Sequence, residues 1–389
     1  MKKRTNVNPR WRWRTGGYLL AGAAVVLIVL IKLQMLAVRD SPDLPEFPVA
    51  SYEIPQVTNT TKPKLAFMFI ARRHMPLDIL WEHFFEGSEE HEYSVYIHSR
   101  PGFIFTSQNT ICHSFINRQL QNSVQVEWGE PTMIQAERLL IAEALQDPLN
   151  ERFFLLSDSC IPLYNFKYVY DYVMSSQKSF VDSFYDAEDW QYNILMEPII
   201  SREKWRKGSQ WVTLTRKHAE IVAADSTVFP TFVHHCKCFY CKIGAYQTWS
   251  GSVAKWLQLV ALRNVKNGSV NNSTDSNHNC IPDEHYIQTL LAIEGEEGEL
   301  ERRTLTYSRW ENSGADWHPA TFDHDATVQT IEEIQDIMSV RYDTESRTEW
   351  CHTAGNPRRC FLFARKFTKA AAFQLIDEVE RYENRPPLT

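Results

Sequence analysis

Lys64-Leu-Ala-Phe-Met-Phe-Ile-Ala71 is an unbroken apolar run of strand length, the pattern of a strand covered on both faces of a sheet. Outward from it, Leu77 to Phe85 has the spacing of a short amphipathic helix, Tyr93 to His98 reads as a second strand, and Val124 to Trp128 as a third. Met133, Ile134, Leu139, Leu140, Ile141 and Leu145 recur in a helical pattern, and Phe153 to Leu156 makes another strand. Strands alternating with helices predict βαβ units, hence an α/β fold with a mainly parallel central sheet whose ligands gather beyond the carboxyl ends of the strands. Those ends carry Ala71-Arg72-Arg73-His74, His98-Ser99-Arg100-Pro101-Gly102 and Ser157-Asp158-Ser159-Cys160-Ile161-Pro162. Candidate nucleotide contacts there are His98, Arg100 and Asp158. Loops are polar in any protein, so ordinary solvation is the competing reading.

At 389 residues, 43% apolar and 13% aromatic, the chain is long enough for a large core and too apolar for disorder. The formal charge of -7 gives no overall basic character and argues against nucleic acid as a partner. Positive charge does gather at the start, where Lys2, Lys3, Arg4, Arg10, Arg12 and Arg14 precede an apolar run from Gly16 to Val38, interrupted by Lys32. That run is long enough to cross a hydrocarbon core of about 30 Å as a helix. The basic residues before it, against Arg39 after it, predict a cytosolic tail (1–15), a transmembrane signal anchor (16–38) and a lumenal body, the single-pass type II orientation. A cleaved signal peptide is the rival, but Met35 is bulky where a cleavage site ending at Ala37 needs a small residue. Pro42, Pro45, Pro48, Pro55 and Pro63 make residues 39–63 a stem, leaving 64–389 as the lumenal domain.

All eight cysteines follow the apolar run, which suits disulfides in an oxidising lumen. Sequons begin at Asn59, Asn267, Asn271 and Asn272 and suit the same compartment. The run His234-His235-Cys236-Lys237-Cys238-Phe239-Tyr240-Cys241 has zinc-ligand chemistry, although in a lumen its thiols are expected to form disulfides. There is no P-loop and no GxGxxG. Asp323 and Asp325 form an Asp-x-Asp that could hold a divalent cation, but no strand pattern precedes them and a solvated loop is the simpler reading.

Asn279 to Leu291 places Asp283, Glu284 and His285 after Pro282 at the start of a helix pattern formed by Tyr286, Ile287, Leu290 and Leu291. A carboxylate there can act as a proton acceptor for a sugar hydroxyl, or can merely cap the helix. Near the C-terminus, Arg358-Arg359-Cys360-Phe361-Leu362-Phe363-Ala364-Arg365-Lys366-Phe367 alternates like a strand with basic groups at both ends. Such cations can neutralise a leaving diphosphate, or can be ordinary surface charge.

Six segments in order carry a resemblance to a known family: Tyr93 to His98, Trp128-Gly-Glu with Met133 to Arg138, Phe154 to Phe166, Lys207-Gly-Ser-Gln-Trp211, Pro282-Asp-Glu-His285 and Cys360 to Phe367. Together they resemble the plant branch of the core-2/I-branching β-1,6-N-acetylglucosaminyltransferase-like proteins, glycosyltransferase family 14. The resemblance implies a GT-A-like, Rossmann-type nucleotide-sugar-binding fold, a UDP-sugar donor, inversion at the anomeric carbon, Golgi residence and no metal or other cofactor. It puts the catalytic base at Glu284, with Asp283 beside it, and the diphosphate at Lys366 and at Arg358 or Arg359. It implies a disulfide between Cys351 and Cys360. Lys207, Ser209, Gln210 and Trp211 would shape the acceptor side, Trp211 alternatively being core. The expected partners are a UDP-N-acetylglucosamine-like donor and a glycan or glycoprotein acceptor. UDP-glucuronic acid with arabinogalactan proteins, or a non-catalytic Golgi carbohydrate-binding scaffold, are the alternatives.

Overall fold

β1 (Lys64–Ile70) has no polar side chain from Leu65 to Phe69, and all of these residues are buried. Leu65, Phe67 and Phe69 enter one apolar cluster while Ala66 and Met68 enter another, as alternation along a strand requires. The computed structural model describes residues 62–89, 91–186, 191–236, 280–310, 319–353 and 355–383.

After β1 come α1 (Asp78–Phe85), β2 (Tyr93–His98), α2 (Thr132–Ala144), β3 (Asn150–Ser157), β4 (Ile161–Pro162) and α3 (Phe166–Met174). β5 (Ser179–Phe180), β6 (Phe184–Tyr185), β7 (Arg206–Lys207) and β8 (Thr213–Thr215) are short, and α4 (Arg216–Ala224) and α5 (Val228–His235) follow them. Then come α6 (Tyr286–Ile293), β9 (Leu300–Glu301), β10 (Thr306–Ser308), α7 (Val328–Gln335), β11 (Ser339–Tyr342) and β12 (Arg347–Trp350). β13 (His352–Thr353), β14 (Asn356–Pro357), β15 (Phe363–Arg365) and α8 (Lys369–Glu383) complete the described chain.

The central sheet has the order β2-β1-β3-β8-β5-β9; β8 runs antiparallel to β3 and β5, and the other neighbours are parallel. This mixed α/β fold with a mainly parallel sheet fits a GT-A-like architecture. α1, α3 and α8 cover the Phe67 face, and α2, α4, α5 and α6 cover the Met68 face. A smaller sheet, β10-β15-β4, lies at the end of β3 and carries the C-terminal basic stretch back to it.

Phe67 is the hub of its face: its ring stacks on Phe154 at 5.0 Å and meets Trp81, Phe84, Phe85 and Phe363 edge-on. Trp81 then joins core to loop, its indole N–H donating to the Cys160 carbonyl at 3.0 Å.

The expected strand at Val124 to Trp128 joins no ladder, and Trp128 is already in a turn. The outer edge of β2 is already used, since Ile97 N–H donates to the Arg118 carbonyl and Leu120 N–H to the Ile97 carbonyl. The Val124 N–H is answered instead by His98 Nε2 at 3.0 Å. Cys351 is bonded to Cys360 and Cys236 to Cys280, whereas Cys112 and Cys160 are buried free thiols, so the eight cysteines do not all pair. The Cys236 sulfur is thereby withdrawn from any zinc set. Cys238, Cys241, the sequons at Asn59, Asn267, Asn271 and Asn272, the tail, the span 16–38 and the stem as far as Thr61 lie outside the described residues. Among the described residues no helix is long and apolar enough to cross a membrane.

Truncating Phe67→Ala should cost about 3–5 kcal/mol, the usual range for an aromatic removed from a packed core. Denaturant unfolding should show a lower midpoint at unchanged slope, and a loss below about 1 kcal/mol would contradict the packing described.

Candidate active site

A cleft of about 1040 Å³ opens beyond the carboxyl ends of β1, β2 and β3, where Arg72, His98, Ser99, Arg100, Asp158 and Ser159 line it. The facing wall comes from the segment after β7, the Pro282–Glu284 turn, β10 and the end of β15. The cleft thus gathers His98, Arg100, Asp158, Lys207, Ser209, Gln210, Trp211, Asp283, Glu284 and Lys366, and not Arg358 or Arg359. Arg359 instead pairs with Asp336 at 2.7 Å.

The strand-end half is organised by Asp158. Its Oδ2 accepts from the Arg72 backbone N–H at 3.3 Å and from Arg72 Nε at 3.1 Å, so this carboxylate orders a cation rather than meeting an anion itself. His98 is buried and uses Nε2 as an acceptor; burial lowers its pKa to about 4, which makes it a neutral prop for the Val124 backbone.

The cationic wall contains a residue that the sequence reading quoted but gave no role, Arg365. Its guanidinium lies 4.4 Å over the Trp211 ring, and its buried Nε has no acceptor among the described residues. Burial lowers its pKa, opposed by the nearby Cys160 sulfur and the carboxylates of Asp158, Asp283 and Glu284. Trp211 is therefore both core and platform, its indole covered by a cation. Phase could not have found Arg365, since Arg359 shares the phase of Phe361, Phe363 and Arg365 and yet pairs with Asp336, and Leu362 and Ala364 in the other phase are equally buried. Lys366 follows it into the cleft, its pKa lowered by burial and by the charges of Arg365 and Arg72.

Opposite stands a group of carboxylates. Pro282–Glu284 is a single 3-10 turn ahead of α6. Asp283 is the cap residue of neither element, those positions being Ile281 and His285, and its Oδ1 is buried without a donor among the described residues. Burial raises the pKa of Asp283 to about 6 and that of Glu284 to about 7; for Glu284 the nearby Lys207 opposes the rise, Asp283 and Asp182 add to it, and Arg365 opposes it. Lys207 Nζ lies 3.8 Å from Glu284 Oε2. Two acidic groups that the sequence reading did not single out support this wall. Asp182 accepts from Ser209 N–H at 3.0 Å, and the fully buried Glu137 of α2 accepts from Gln210 Nε2 at 2.8 Å. Burial, then the charge of Asp283, pushes the Glu137 pKa well up. Gln210 is thus already committed to the protein, as is the Ser209 carbonyl, which accepts from Gln288 Nε2 at 2.8 Å.

One glycine allows the approach. Gly208 N–H donates to the Glu284 carbonyl at 2.9 Å, and a Cβ on Gly208 would fall 1.7 Å from the Asp182 carbonyl oxygen. Asp325 is not free for a cation in the way an Asp-x-Asp site needs, because it accepts from Arg309 at 2.6 Å and from the Asp323 N–H at 3.0 Å. Arrayed fixed cations beside a high-pKa carboxylate can stabilise a departing anion while a hydroxyl is deprotonated.

Comparison with known proteins gives a consistent result. The family model described as "Core-2/I-Branching enzyme" matches residues 65–338. A protein named "Glycosyltransferase BC10" from Oryza sativa subsp. japonica is 50% identical over 321 residues, covering 81% of this chain and 76% of that protein.

Gly208→Ala should drive the Asp182 and Lys207 backbones apart and lower turnover by about 10²-fold, the scale of an ångström-level misplacement at a reacting centre. Turnover and melting temperature measured together check this, and a variant matching the parent in both would refute the close approach.

Proposed function

Because the chain belongs to the core-2/I-branching enzyme family and is a glycosyltransferase, we propose that its cleft carries out an inverting, metal-independent transfer of a sugar from a UDP-sugar of the UDP-N-acetylglucosamine type to a hydroxyl of a glycan or glycoprotein. The observation that carries this reading is the pairing, in one cleft, of Glu284 beside Lys207 with the cations Arg365 and Lys366. The nucleotide would lie over the carboxyl ends of β1, β2 and β3, the Rossmann-type position, and the acceptor would enter along Lys207 to Trp211.

In the reaction, the Glu284 carboxylate takes the proton of the acceptor hydroxyl as that oxygen attacks the anomeric carbon of the donor. The bond from that carbon to the diphosphate oxygen breaks on the opposite side, so the configuration inverts. The electron pair leaves with UDP, and Lys366 and Arg365 answer the charge that develops. Arg365 takes the part that the sequence reading gave to Arg358 or Arg359, because it is the arginine of that stretch that lines the cleft. Asp283, buried beside Glu284, helps keep that carboxyl poised near neutrality by its charge.

The same reading makes the enzyme a single-pass type II protein of the Golgi membrane with its body in the lumen. Its support is the basic residues before Gly16 and the apolar run to Val38.

A base must be ionised to act, so turnover should rise as pH increases through about 7, the Glu284 value, and be lost below it. Glu284→Gln should lower transfer by at least about 10²-fold while leaving UDP binding nearly intact. UDP release from a panel of UDP-N-acetylglucosamine, UDP-glucose, UDP-galactose and UDP-glucuronic acid, with glycan and arabinogalactan acceptors, measures both; near-normal turnover in the variant would exclude Glu284 as base. EDTA should leave the rate unchanged, and activity that returns only on adding Mn²⁺ would overturn the metal-free reading.

A further inference from the structure

The geometry points to Gln191 and His285 as positioning residues that hold the Lys207 ammonium beside the Glu284 carboxylate. The inference rests on the reading of Glu284 as base and names what tunes it. Lys207 is on β7, a two-residue strand that pairs with β6, so little regular structure fixes it. Two groups take over that task. His285, adjacent to Glu284 in sequence and fully buried, stacks on Trp205 at 4.3 Å and has Nδ1 2.8 Å from the Arg206 carbonyl. A carbonyl only accepts, so Nδ1 carries the proton and donates, which pins the backbone immediately before Lys207. The Arg206 N–H donates to Thr289 Oγ1 at 3.1 Å, so His285 and α6 together hold Arg206 at both its carbonyl and its N–H.

Gln191 holds the side chain. It is buried, and its Oε1 lies 3.2 Å from Lys207 Nζ and 3.0 Å from His285 Nε2. Burial lowers the His285 pKa to about 3, so the ring keeps the single proton on Nδ1, and Nε2 faces the Gln191 oxygen as one acceptor against another, a contact that only a cation beside that oxygen can offset. Among the described residues, the Lys207 ammonium is then the donor that remains to satisfy the buried Gln191 oxygen. An ammonium tethered there by one of its three hydrogens stays 3.8 Å from Glu284 Oε2, close enough to favour the ionised carboxylate and too far to form a short bond that would occupy it.

The charged groups facing Glu284 are Lys207 from β7, Asp283 on the same turn, Asp182 from the segment after β5, and Arg365 from β15. Asp283 and Asp182 raise its pKa; Lys207 and Arg365 lower it. Loosening the tether lets the ammonium move into solvent, and the carboxyl then ionises only at higher pH.

The test is the pH profile of UDP release by the full chain in detergent, using whichever UDP-sugar of the panel supports turnover. Gln191→Met keeps the length and removes the acceptor. The acid limb should move up by about one pH unit, with most of the high-pH rate retained. Lys207→Met should move the limb similarly, and the double variant should move it no further than the single ones. A uniform loss of rate with the limb in place would mean that Gln191 is only structural and would overturn the inference. So would an unmoved limb in Lys207→Met, which decides the matter even if Gln191→Met does not fold. Should Glu284→Gln retain turnover, the base itself is misassigned; should it be dead while both limbs stay put, only the tether is wrong.

Discussion

The structure depends on a strand with no polar face. From Leu65 to Phe69 the chain offers only apolar side chains, alternating between two sides that both have to be covered. A sheet buried on both faces is fed by helices crossing over it, which makes its strands mainly parallel and lines up their carboxyl ends along one edge. Polar groups excluded from the layers collect on that edge, and Arg72, His98, Arg100 and Asp158 do so. The aromatic packing around Phe67 reaches the same edge through Trp81, whose indole holds the Cys160 carbonyl in the loop beyond β3. Core and cleft are thereby one mechanical unit.

The cleft is electrostatically divided. Arg72, Arg100, Arg365 and Lys366 mark one part of it, and Asp182, Asp283 and Glu284 mark another, with Glu137 buried behind. Carboxylates taken out of water resist ionisation, which is why Asp283 and Glu284 rise to about 6 and about 7, the charges of Asp283 and Asp182 adding to the rise of Glu284. The outcome is a carboxyl whose protonation changes near neutral pH. A solvated glutamate would be ionised there already but would be a weaker base. Lys207 keeps that shift from running higher.

Much of this was legible in the sequence and some was not, for physical reasons. β1, β2, α2 and β3 were readable because burial imposes a period on them. Val124 to Trp128 alternates like a strand but lines the cleft instead, because the edge it would need on β2 is taken by Arg118 to Leu120. Arg358 and Arg359 were overvalued because charge in a sequence does not reveal its direction: Arg359 shares the phase of Phe361, Phe363 and Arg365 and still pairs with Asp336 away from the cleft. Asp182, Glu137 and Gln191 left no local signal, since they reach the site through tertiary contacts with Ser209, Gln210 and Lys207. Gly208 lies within a quoted motif, yet that it must be glycine follows only from the Asp182 carbonyl beside it.

Arg365 links the two parts of the cleft. Stacked on Trp211 and facing Asp158, Asp283 and Glu284, it stays charged despite burial because a guanidinium does not lose its proton in proteins. In the free enzyme its field lowers the affinity of Glu284 for a proton. On the proposed chemistry a bound diphosphate engages that same guanidinium and cancels part of its field at the carboxylate. On that chemistry Glu284 would hold its proton to higher pH with donor present than without it, which makes the Lys207 charge beside it the more important for keeping the carboxylate ionised.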